Sequence, residues 1–446
     1  MTARVLAAAV CAAIVTLSTA ASAQVVQLAR LLPDDGAAGG WFGHSVDIAE
    51  GTAIVGAWNP GDTDSVVGAA YLFDVMDGRQ IAELLSDDGA LGDQFGACVA
   101  INRTVALVGA AGNDANGTDA GAAYLFDIDG GAQLGRLVPN DLDAHDGFGV
   151  AVALNDTVAA VGAFGGPLFG EVTGAVYLFD LATGAQLAKL LPDDGMESRR
   201  FGVRIAMDDT RVLVGAIDAG GDGEGAAYLF DIATGEQLRT FTPDDGARGD
   251  EFGSVAIEGD TVLVGAERHW HARLADGAAY LFDAVTGAQT AKIVLDDPGF
   301  NDHFGFAVAV EGSTALITAH RRRVDDPVEG AAYLFDTSTG RLLATVLPDD
   351  GGENDNFGWA AAMDGRTAII SALLDGDNGE ESGSAYLFDL RWCPVDLTGD
   401  NAVDTRDFLA FLGAWAARDE SADWDENGVI DTRDVVAYLN AWVAGC

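Results

Sequence analysis

The chain has 446 residues, of which 49% are hydrophobic and 21% are charged, so it can bury a large core. It carries 70 Asp and Glu residues against 24 Lys and Arg residues, a formal net charge of −46. Because a surface this acidic repels a polyanion, the composition argues against nucleic acid as a partner and suits calcium or salt instead.

Residues 1–23 have the pattern of a secretory signal. Arg4 supplies the positive end, Val5 to Leu17 the apolar run, and Ala21-Ser22-Ala23 the small-residue cleavage site. Cys11 lies inside the apolar run without a convincing lipid-attachment motif, which favours export over lipid anchoring. No later stretch approaches the ~20 apolar residues of a membrane span. We therefore expect a secreted or cell-surface protein without a transmembrane segment.

Two short motifs recur through residues 24–391. The Tyr-Leu-Phe-Asp motif, whose copies are 51 to 53 residues apart, begins at Tyr71, Tyr124, Tyr177, Tyr228, Tyr280, Tyr333 and Tyr386. A Phe-Gly pair keeps the same interval, at Phe42, Phe95, Phe148, Phe201, Phe252, Phe304 and Phe357. A period of this length, carried by strand-forming residues, is typical of a propeller or solenoid.

The second repeat indicates how many strands each unit contains. Phe95–Ile101 and Thr104–Ala110 are predicted strands joined by a tight turn at Asn102-Arg103. Gly121–Asp127 is a predicted third strand, and Ala132–Pro139 a fourth, more exposed one. Four strands per repeat form a propeller blade, so the repeats predict an all-β, seven-bladed β-propeller.

The two ends of the repeat array predict how the ring closes. Val25 to Gly36 copies the fourth strand and turn at Ala185 to Gly195, whereas the last repeat stops after its third strand at Leu390. We therefore expect the N-terminal strand to complete the last blade and hide both sheet edges.

The Phe-Gly pairs precede Val-Gly-Ala strands, such as Leu107–Ala110 and Leu213–Ala216. This combination resembles FG-GAP repeats, the propeller family that includes the integrin α-chain head, over about Val25 to Leu390. Integrin-type blades carry an Asp-rich calcium loop before the Val-Gly-Ala strand. Here that connection is as short as Asn155-Asp156, so the resemblance does not extend to calcium in the propeller.

Two loops on neighbouring repeats are rich in basic residues, although the chain as a whole is acidic. Their cores are Arg268–Arg273 and His320–Arg323. We interpret them as a patch that binds an anionic group or glycan; the alternative is an electrostatic counterweight to Asp325 and Asp326. The tryptophan of this patch is suited to stack on a sugar ring. The candidate residues are Arg268, Trp270, Arg273, Arg321, Arg322 and Arg323.

Other features allow a metal or a purely structural interpretation. The loops Asn113–Asp119 and Asp375–Glu381 are acidic enough to hold a cation, or are simply solvated. Cys98 is expected to be a buried free thiol that serves as a small core residue. The basic loops also contain residue types suited to zinc, without the spacing that fixes its geometry, in His269, His271 and His320.

Residues 392–446 contain two twelve-residue segments with the oxygen spacing of an EF-hand calcium loop, at positions 1, 3, 5, 9 and 12 plus the position-7 carbonyl. The first set is Asp396, Thr398, Asp400, Ala402, Asp404 and Asp407. The second set is Asp423, Asp425, Asn427, Val429, Asp431 and Asp434. We expect two Ca²⁺ sites, the first one weaker because Thr398 is a poorer ligand than Asp or Asn. In an exported protein, Cys393 and Cys446 can close this segment as a disulfide.

Each loop leads into a predicted amphipathic helix. The apolar stripes of the two helices are Phe408, Leu412 and Trp415, and Val435, Leu439 and Trp442. This pair of loop-helix units resembles a type I dockerin, a family that docks onto cohesin domains and often has Asp as the twelfth ligand. The resemblance implies that a cohesin-like partner is bound by Thr405, Arg406, Thr432 and Arg433.

Two function classes follow. The first, which we favour, is a secreted non-catalytic propeller whose loop face binds a protein or glycan and whose dockerin-like tail attaches it to an assembly. The second is a carbohydrate-active enzyme carried by a dockerin, with paired carboxylates at a channel mouth. Against the enzyme, Asp pairs such as Asp34-Asp35 and Asp193-Asp194 recur by repeat, which is typical of turn formers. Residues that follow Phe-Gly, such as Val150, Val203, Phe306 and Trp359, are expected to line the channel and are mostly apolar.

Overall fold

The computed structural model describes residues 25–36, 39–58, 67–165, 174–194, 198–219, 223–271, 274–323, 329–376, 378–390, 395, 397, 405–418, 422–424 and 429–444. Its contacts divide the chain into a unit Val25–Leu390 and a second unit that includes Arg391–Cys446. Across the described ranges, no helix combines the length and the apolar character needed to cross a bilayer.

The unit Val25–Leu390 consists of seven four-stranded antiparallel sheets, which we number as blades 1 to 7 in chain order. Within a blade the chain runs from an inner strand through a second and a third strand to an outer strand. The prediction of a seven-bladed β-propeller with four-stranded blades is confirmed.

The strand bounds repeat from blade to blade. The inner strands are Phe42–Ala49, Cys98–Ile101, Val152–Leu154, Ser198–Met207, Phe252–Glu258, Val308–Glu311 and Phe357–Asp364. The second strands are Thr52–Ala57, Val105–Ala110, Val158–Ala163, Arg211–Ala219, Thr261–Ala266, Thr314–Ala319 and Thr367–Ala372. The third strands are Ala69–Asp74, Ala122–Asp127, Ala175–Asp180, Ala226–Asp231, Ala278–Asp283, Ala331–Asp336 and Ser384–Asp389. The outer strands are Gln80–Leu84, Gln133–Leu137, Gln186–Leu190, Gln237–Phe241, Gln289–Ile293, Leu342–Val346 and, for blade 7, Val26–Leu31. Blade 5 adds a short hairpin, Trp270–His271 with Leu274–Ala275.

The N-terminal strand completes blade 7, as the sequence predicts. Val26–Leu31 pairs antiparallel with Ser384–Asp389, with Leu31 opposite Ala385. The side chain of Gln27 accepts a hydrogen bond of 2.9 Å from the backbone N–H of Asp349. The first outer-strand glutamine makes the same contact in blades 1 to 5, through Gln80, Gln133, Gln186, Gln237 and Gln289.

The phenylalanine of each Phe-Gly pair anchors its own blade. Its ring packs against the tyrosine of the Tyr-Leu-Phe-Asp motif, with centroids 5.6 to 5.9 Å apart in all seven blades. All seven phenylalanines are at most 1% exposed. Each therefore contributes about 1.5 to 3 kcal/mol of hydrophobic stabilisation.

Glycine sets the distance between neighbouring blades. A Cβ added to the glycine of Val-Gly-Ala in blades 1 to 5 would clash with the backbone carbonyl of the next blade's Phe-Gly glycine. Blades 6 and 7 have Thr318 and Ser371 at this position, and each hydroxyl accepts a 3.0 Å hydrogen bond from an N–H of its own blade's inner segment. The blades therefore meet at backbone contact.

We expect Gly215→Ala to destabilise the propeller by about 2 to 3 kcal/mol, because its methyl group would overlap the carbonyl oxygen of Gly253 in the next blade. The matched control is Gly135→Ala in the outer strand of blade 2, where nothing lies within 4 Å of the added carbon. The measurement is urea unfolding followed by the β signal in circular dichroism. Equal stability of the two variants would contradict the role assigned to this contact.

The C-terminal unit contains the two predicted helices, α1 (Thr405–Ala417) and α2 (Thr432–Ala444). Phe411 of α1 and Tyr438 of α2 are both 0% exposed and stack with ring centroids 4.2 Å apart. The Tyr438 hydroxyl donates a 2.9 Å hydrogen bond to the carbonyl of Val395. The sequence did not single out these two aromatic residues.

The predicted apolar stripes surround this central stack. Phe408, Leu412 and Trp415 of α1 and Val435 and Trp442 of α2 are partly buried against it. Trp415 also donates a 2.7 Å hydrogen bond from Nε1 to the carbonyl of Asp431, which ties α1 to the segment that precedes α2.

Candidate binding site at the channel mouth

A central channel of about 720 Å³ is lined by the inner strands of all seven blades. Because the strands alternate in direction, inner strands begin at the same end of the ring at which second strands end. The loops that join second to third strands therefore surround one opening, which we call the loop mouth. Val150, Val203, Phe306 and Trp359 line the channel, as the sequence predicts.

Three positions of each repeat surround the loop mouth: the residue before Phe-Gly, the residue after it, and the residue after the second strand's Ala. The first of these positions has a left-handed backbone in every blade, with φ between 50° and 59°. Glycine, Asn and Asp tolerate this conformation best, and other side chains are strained there. The residues at this position are Trp41, Gln94, Gly147, Arg200, Glu251, His303 and Asn356.

Rings from blades 6, 7 and 1 form a continuous wall on one side of the mouth, which we call the aromatic arc. Neighbouring ring centroids are 4.2 to 5.9 Å apart. The ring nitrogens of Trp41 and Trp58 have no hydrogen-bond partner within the described ranges. The arc consists of Trp41, Trp58, His44, Trp359, Phe306 and His320.

A polar cluster from blades 5 and 6 adjoins the arc. His303 donates from Nδ1 to the Glu267 carboxylate at 2.6 Å, and its Nε2 accepts from Asn301 at 2.9 Å. Arg268 forms an ion pair with Glu251 at 2.9 Å. A hydrogen bond also joins the two carboxyl groups, Glu251 and Glu267.

The two carboxyl groups of this cluster differ in pKa. Burial, together with repulsion from Glu267, raises the pKa of Glu251. Burial also acts to raise the pKa of Glu267, but its hydrogen bonds with His303 and Glu251 hold that pKa below its ordinary value. Of the two carboxyl groups, Glu251 therefore gives up its proton less readily than Glu267.

His320 links the aromatic arc to the polar cluster. Its side chain is 3% exposed, and its ring lies 5.0 Å from that of His303. Burial, with a smaller contribution from His303, lowers the pKa of His320 to about 3, so the ring is neutral at physiological pH. Its Nδ1 atom has no hydrogen-bond partner in the part of the chain that the structure describes. A buried polar atom left in this state costs about 1 to 3 kcal/mol, which water or a ligand can offset.

Arg204 of blade 4 extends into the channel from the side opposite the arc. Its Nη1 donates to the Val203 carbonyl at 3.1 Å, and no carboxylate of the described residues lies within ion-pair distance. Burial lowers the pKa of His44, and the Arg204 charge lowers it further. Burial lowers the pKa of Arg204 itself, while the Glu267 and Glu251 carboxylates raise it. The Arg204 charge thus interacts with His44 of blade 1 and with Glu251 and Glu267 of blade 5, which places the guanidinium near the channel axis.

Sequence reasoning missed Arg204 and the Glu251–Glu267 pair. The signal is visible when the repeats are aligned, because the other six blades have small side chains at the Arg204 position. Those residues are Ser45, Cys98, Ala151, Val255, Ala307 and Ala360.

The predicted basic patch is divided between different environments. Arg268 pairs with Glu251, and Arg322 is buried in ion pairs with Asp302 at 2.7 Å and Asp297 at 3.0 Å. Arg321 and Arg323 are exposed, and Trp270 is 61% exposed on the blade 5 hairpin. Lying outside the described residues are Arg273, Asp325 and Asp326.

The predicted zinc histidines have different partners. His269 contacts Asp250 through Nδ1 at 2.7 Å and Lys292 through Nε2 at 2.8 Å. His320 lies in the aromatic arc, and the side chain of His271 is not among those described. Within the described ranges, no group of three His, Cys, Asp or Glu side chains could hold a metal ion.

The two acidic loops contribute internal hydrogen bonds. Asp375 accepts from Tyr386 at 2.9 Å and from Arg30 at 2.8 Å, and Asn113 donates to Asp93 at 2.8 Å. Among the described residues Cys98 is a free cysteine, as expected, and it is half-buried in the channel wall, where it packs against a core cluster. Its thiol donates to a carbonyl of blade 3, and burial raises its pKa to about 12.

The C-terminal loops are described only in part. Asp407 and Asp434, at loop position 12, are 0% exposed, whereas Val429 is 52% exposed. Asp431 accepts hydrogen bonds from Arg433. At the exposed helix starts lie Thr405, Arg406, Thr432 and Arg433. Asp423 is described, but outside the described residues lie Asp396, Thr398, Asp400, Ala402, Asp404, Asp425, Asn427, Cys393 and Cys446.

Seven four-stranded blades around a channel, closed by the N-terminal strand, define a seven-bladed β-propeller protein. The sequence model of the FG-GAP repeat matches residues 25–73, 79–126, 132–179, 185–230, 236–282, 288–335 and 341–388. The chain therefore belongs to the FG-GAP repeat family. None of the curated proteins matches it.

We expect His320→Leu to reduce the loss of stability in acid. In the wild type, the unfolded state takes up a proton below pH 6.5 whereas folded His320 resists protonation down to about pH 3, so stability falls across this window. Leucine, which blade 7 has at the equivalent position (Leu373), removes this contribution. The measurement is the free energy of unfolding across the window, with the exposed His145→Leu as control. A wild-type pH slope in His320→Leu would refute the assignment.

Proposed function

We propose that the protein is a secreted, non-catalytic binding protein. Its propeller binds a protein or glycan at the loop mouth, and its C-terminal unit binds calcium and attaches it to a cohesin-like partner. The observation that carries this proposal is that α1 and α2 begin alike, each with an exposed Thr-Arg pair followed by a wholly buried Asp.

The matching helix starts support a docking surface that is presented twice. One turn after each Thr-Arg pair lies an exposed aliphatic side chain, Leu409 at 65% exposure and Val436 at 57%. An apolar side chain beside an arginine, rimmed by polar residues, is typical of a protein interface. Two equivalent copies would allow a partner to bind in either of two orientations.

The chemistry of the loops fits calcium. Their side-chain donors are almost all carboxylates, and hard oxygen ligands at this twelve-residue spacing suit Ca²⁺. Asp407 and Asp434 lie away from water, where a carboxylate is stable only if hydrogen bonds or a cation balance its charge. When bound, the ion would supply that balance and fix the direction in which each helix leaves its loop.

The carboxylate pair at the loop mouth favours binding over glycoside hydrolysis. Glu251 and Glu267 are in direct hydrogen-bond contact. Hydrolysis by inversion or retention needs carboxyl groups about 5 to 9.5 Å apart, with the sugar between them. This pair therefore does not support the alternative function, a carbohydrate-active enzyme carried by a dockerin.

We expect chelation to unfold the C-terminal unit selectively. A module this small has too little core to be stable alone, so removing calcium with EDTA should abolish its helical circular dichroism and leave the propeller's β signal unchanged. Asp434→Asn should weaken calcium binding on the order of tenfold by calorimetry, while the exposed Asp77→Asn should not. Helicity that survives chelation, with any disulfide reduced, would overturn the calcium proposal.

For docking, changing either Thr405-Arg406 or Thr432-Arg433 to Asp-Asp should leave most of the affinity for the partner, because the other helix still presents an intact surface. Changing both pairs should abolish binding, since each adds negative charge to a docking face. The test is calcium-dependent capture on an immobilised cohesin domain, with the wild type in EDTA as control. Capture of the double variant would exclude these pairs as the docking surface.

A further inference from the structure

We infer that the loop mouth binds an acidic sugar, a uronate residue of a glycan, whose ring lies against the aromatic arc and whose carboxylate pairs with Arg204. This inference rests on the proposed function, in which the propeller face binds a glycan, and it names the class of sugar.

The charge around the mouth favours an anion at Arg204. Arg200 pairs with Asp218 at 2.9 Å, and Arg268 pairs with Glu251. Arg204 has no such carboxylate partner among the described residues, although the chain as a whole carries a charge of −46. Glu251 and Glu267, on the adjacent blade 5, attract the Arg204 charge, but within the described residues neither forms an ion pair with it. The Arg204 guanidinium can therefore pair directly with a ligand carboxylate that enters the channel.

The guanidinium is suited to a carboxylate in both geometry and environment. It is planar, it offers two parallel N–H donors to the two carboxylate oxygens, and it does so without losing its charge. Arg204 lines the channel with an exposed side chain, so a ligand that enters the channel can reach the guanidinium. Its carbonyl contact with Val203 occupies only Nη1 among the donors that the guanidinium offers.

The aromatic arc supplies the surface for the sugar ring. Trp58, Phe306 and Trp359 line the same cavity as Arg204. Because they come from blades 1, 6 and 7 whereas Arg204 comes from blade 4, a ring that rests on the arc directs its substituents toward the guanidinium. The volume of about 720 Å³ lies within the range of about 300 to 1,000 Å³ typical of small-ligand sites.

The repeats themselves provide variants that the fold tolerates. Arg204→Ala reproduces the residue found at this position in three other blades, Ala151, Ala307 and Ala360. Trp359→Ala reproduces blade 2, which has Ala97 there. Arg341→Ala, in an exposed turn on the opposite face of the ring, is the matched control for loss of positive charge.

The test is isothermal titration of the full chain, in calcium, with trigalacturonate and with its methyl ester, which keeps the rings and removes the charge. The wild type should bind the acid at least about tenfold more tightly than the ester, as expected for a charged hydrogen-bonded pair. Arg204→Ala should bring the acid down to the affinity of the ester and leave the ester unchanged. Trp359→Ala should weaken both ligands, and Arg341→Ala neither.

Equal binding of acid and ester, or wild-type binding of the acid by Arg204→Ala, would overturn the inference. A tripeptide with a free C-terminal carboxylate, or a sulfated trisaccharide, that binds more tightly than trigalacturonate would also overturn it by identifying another anion. A glycan array separates this failure from that of the proposed function. Neutral glycans bound equally by wild type, Arg204→Ala and Trp359→Ala would remove the uronate site alone, whereas an absence of any glycan or protein ligand would remove both proposals.

Discussion

Every blade boundary depends on a backbone contact that only glycine permits. The glycine before each third strand lies against the phenylalanine carbonyl of the next Phe-Gly pair, so that a Cβ at Gly121 would overlap the carbonyl of Phe148. The last such contact, between Gly383 and Phe42, joins blade 7 to blade 1. Because these contacts bring the blades together at backbone distance, the inner strands are held in one circle. The side chains beside them are then free to vary without altering the ring.

The sequence predicted the propeller fold because the motifs of each blade recur. Seven copies of two motifs determine the blade count, and the resemblance of Val25–Gly36 to an outer strand predicts the closure. Strand starts were less accurate, since the inner strand of blade 2 begins at Cys98 rather than Phe95. The site was harder to predict, since Glu251 and Glu267 lie on separate connections and meet only when blade 5 folds. The position of Arg204 could not be interpreted from the sequence, because the channel that it lines is formed by all seven blades.

Several Asp side chains of this acidic chain have a structural role. The Asp pairs at the turns between blades place a carboxylate beside the tyrosine of the following third strand, as in the hydrogen bonds of Tyr124 to Asp88 at 2.8 Å and Tyr228 to Asp194 at 2.7 Å. Asp375 serves the same purpose for Tyr386 in the last blade. Carboxylates that accept these hydrogen bonds stabilise the packing of neighbouring blades. The number of Asp residues therefore indicates little about where a ligand binds. Departures from the repeat at the loop mouth are more informative.

The pairing of Val26–Leu31 with Ser384–Asp389 joins the first strand of the propeller to the last. A chain that emerges from its N-terminus must therefore keep that first strand without its native neighbour until almost the whole propeller has followed. Contacts between such distant parts of a sequence form slowly, because a long loop must close first. The ring is thus closed as a late step of vectorial folding. The seventh blade is complete only after the other six blades have emerged.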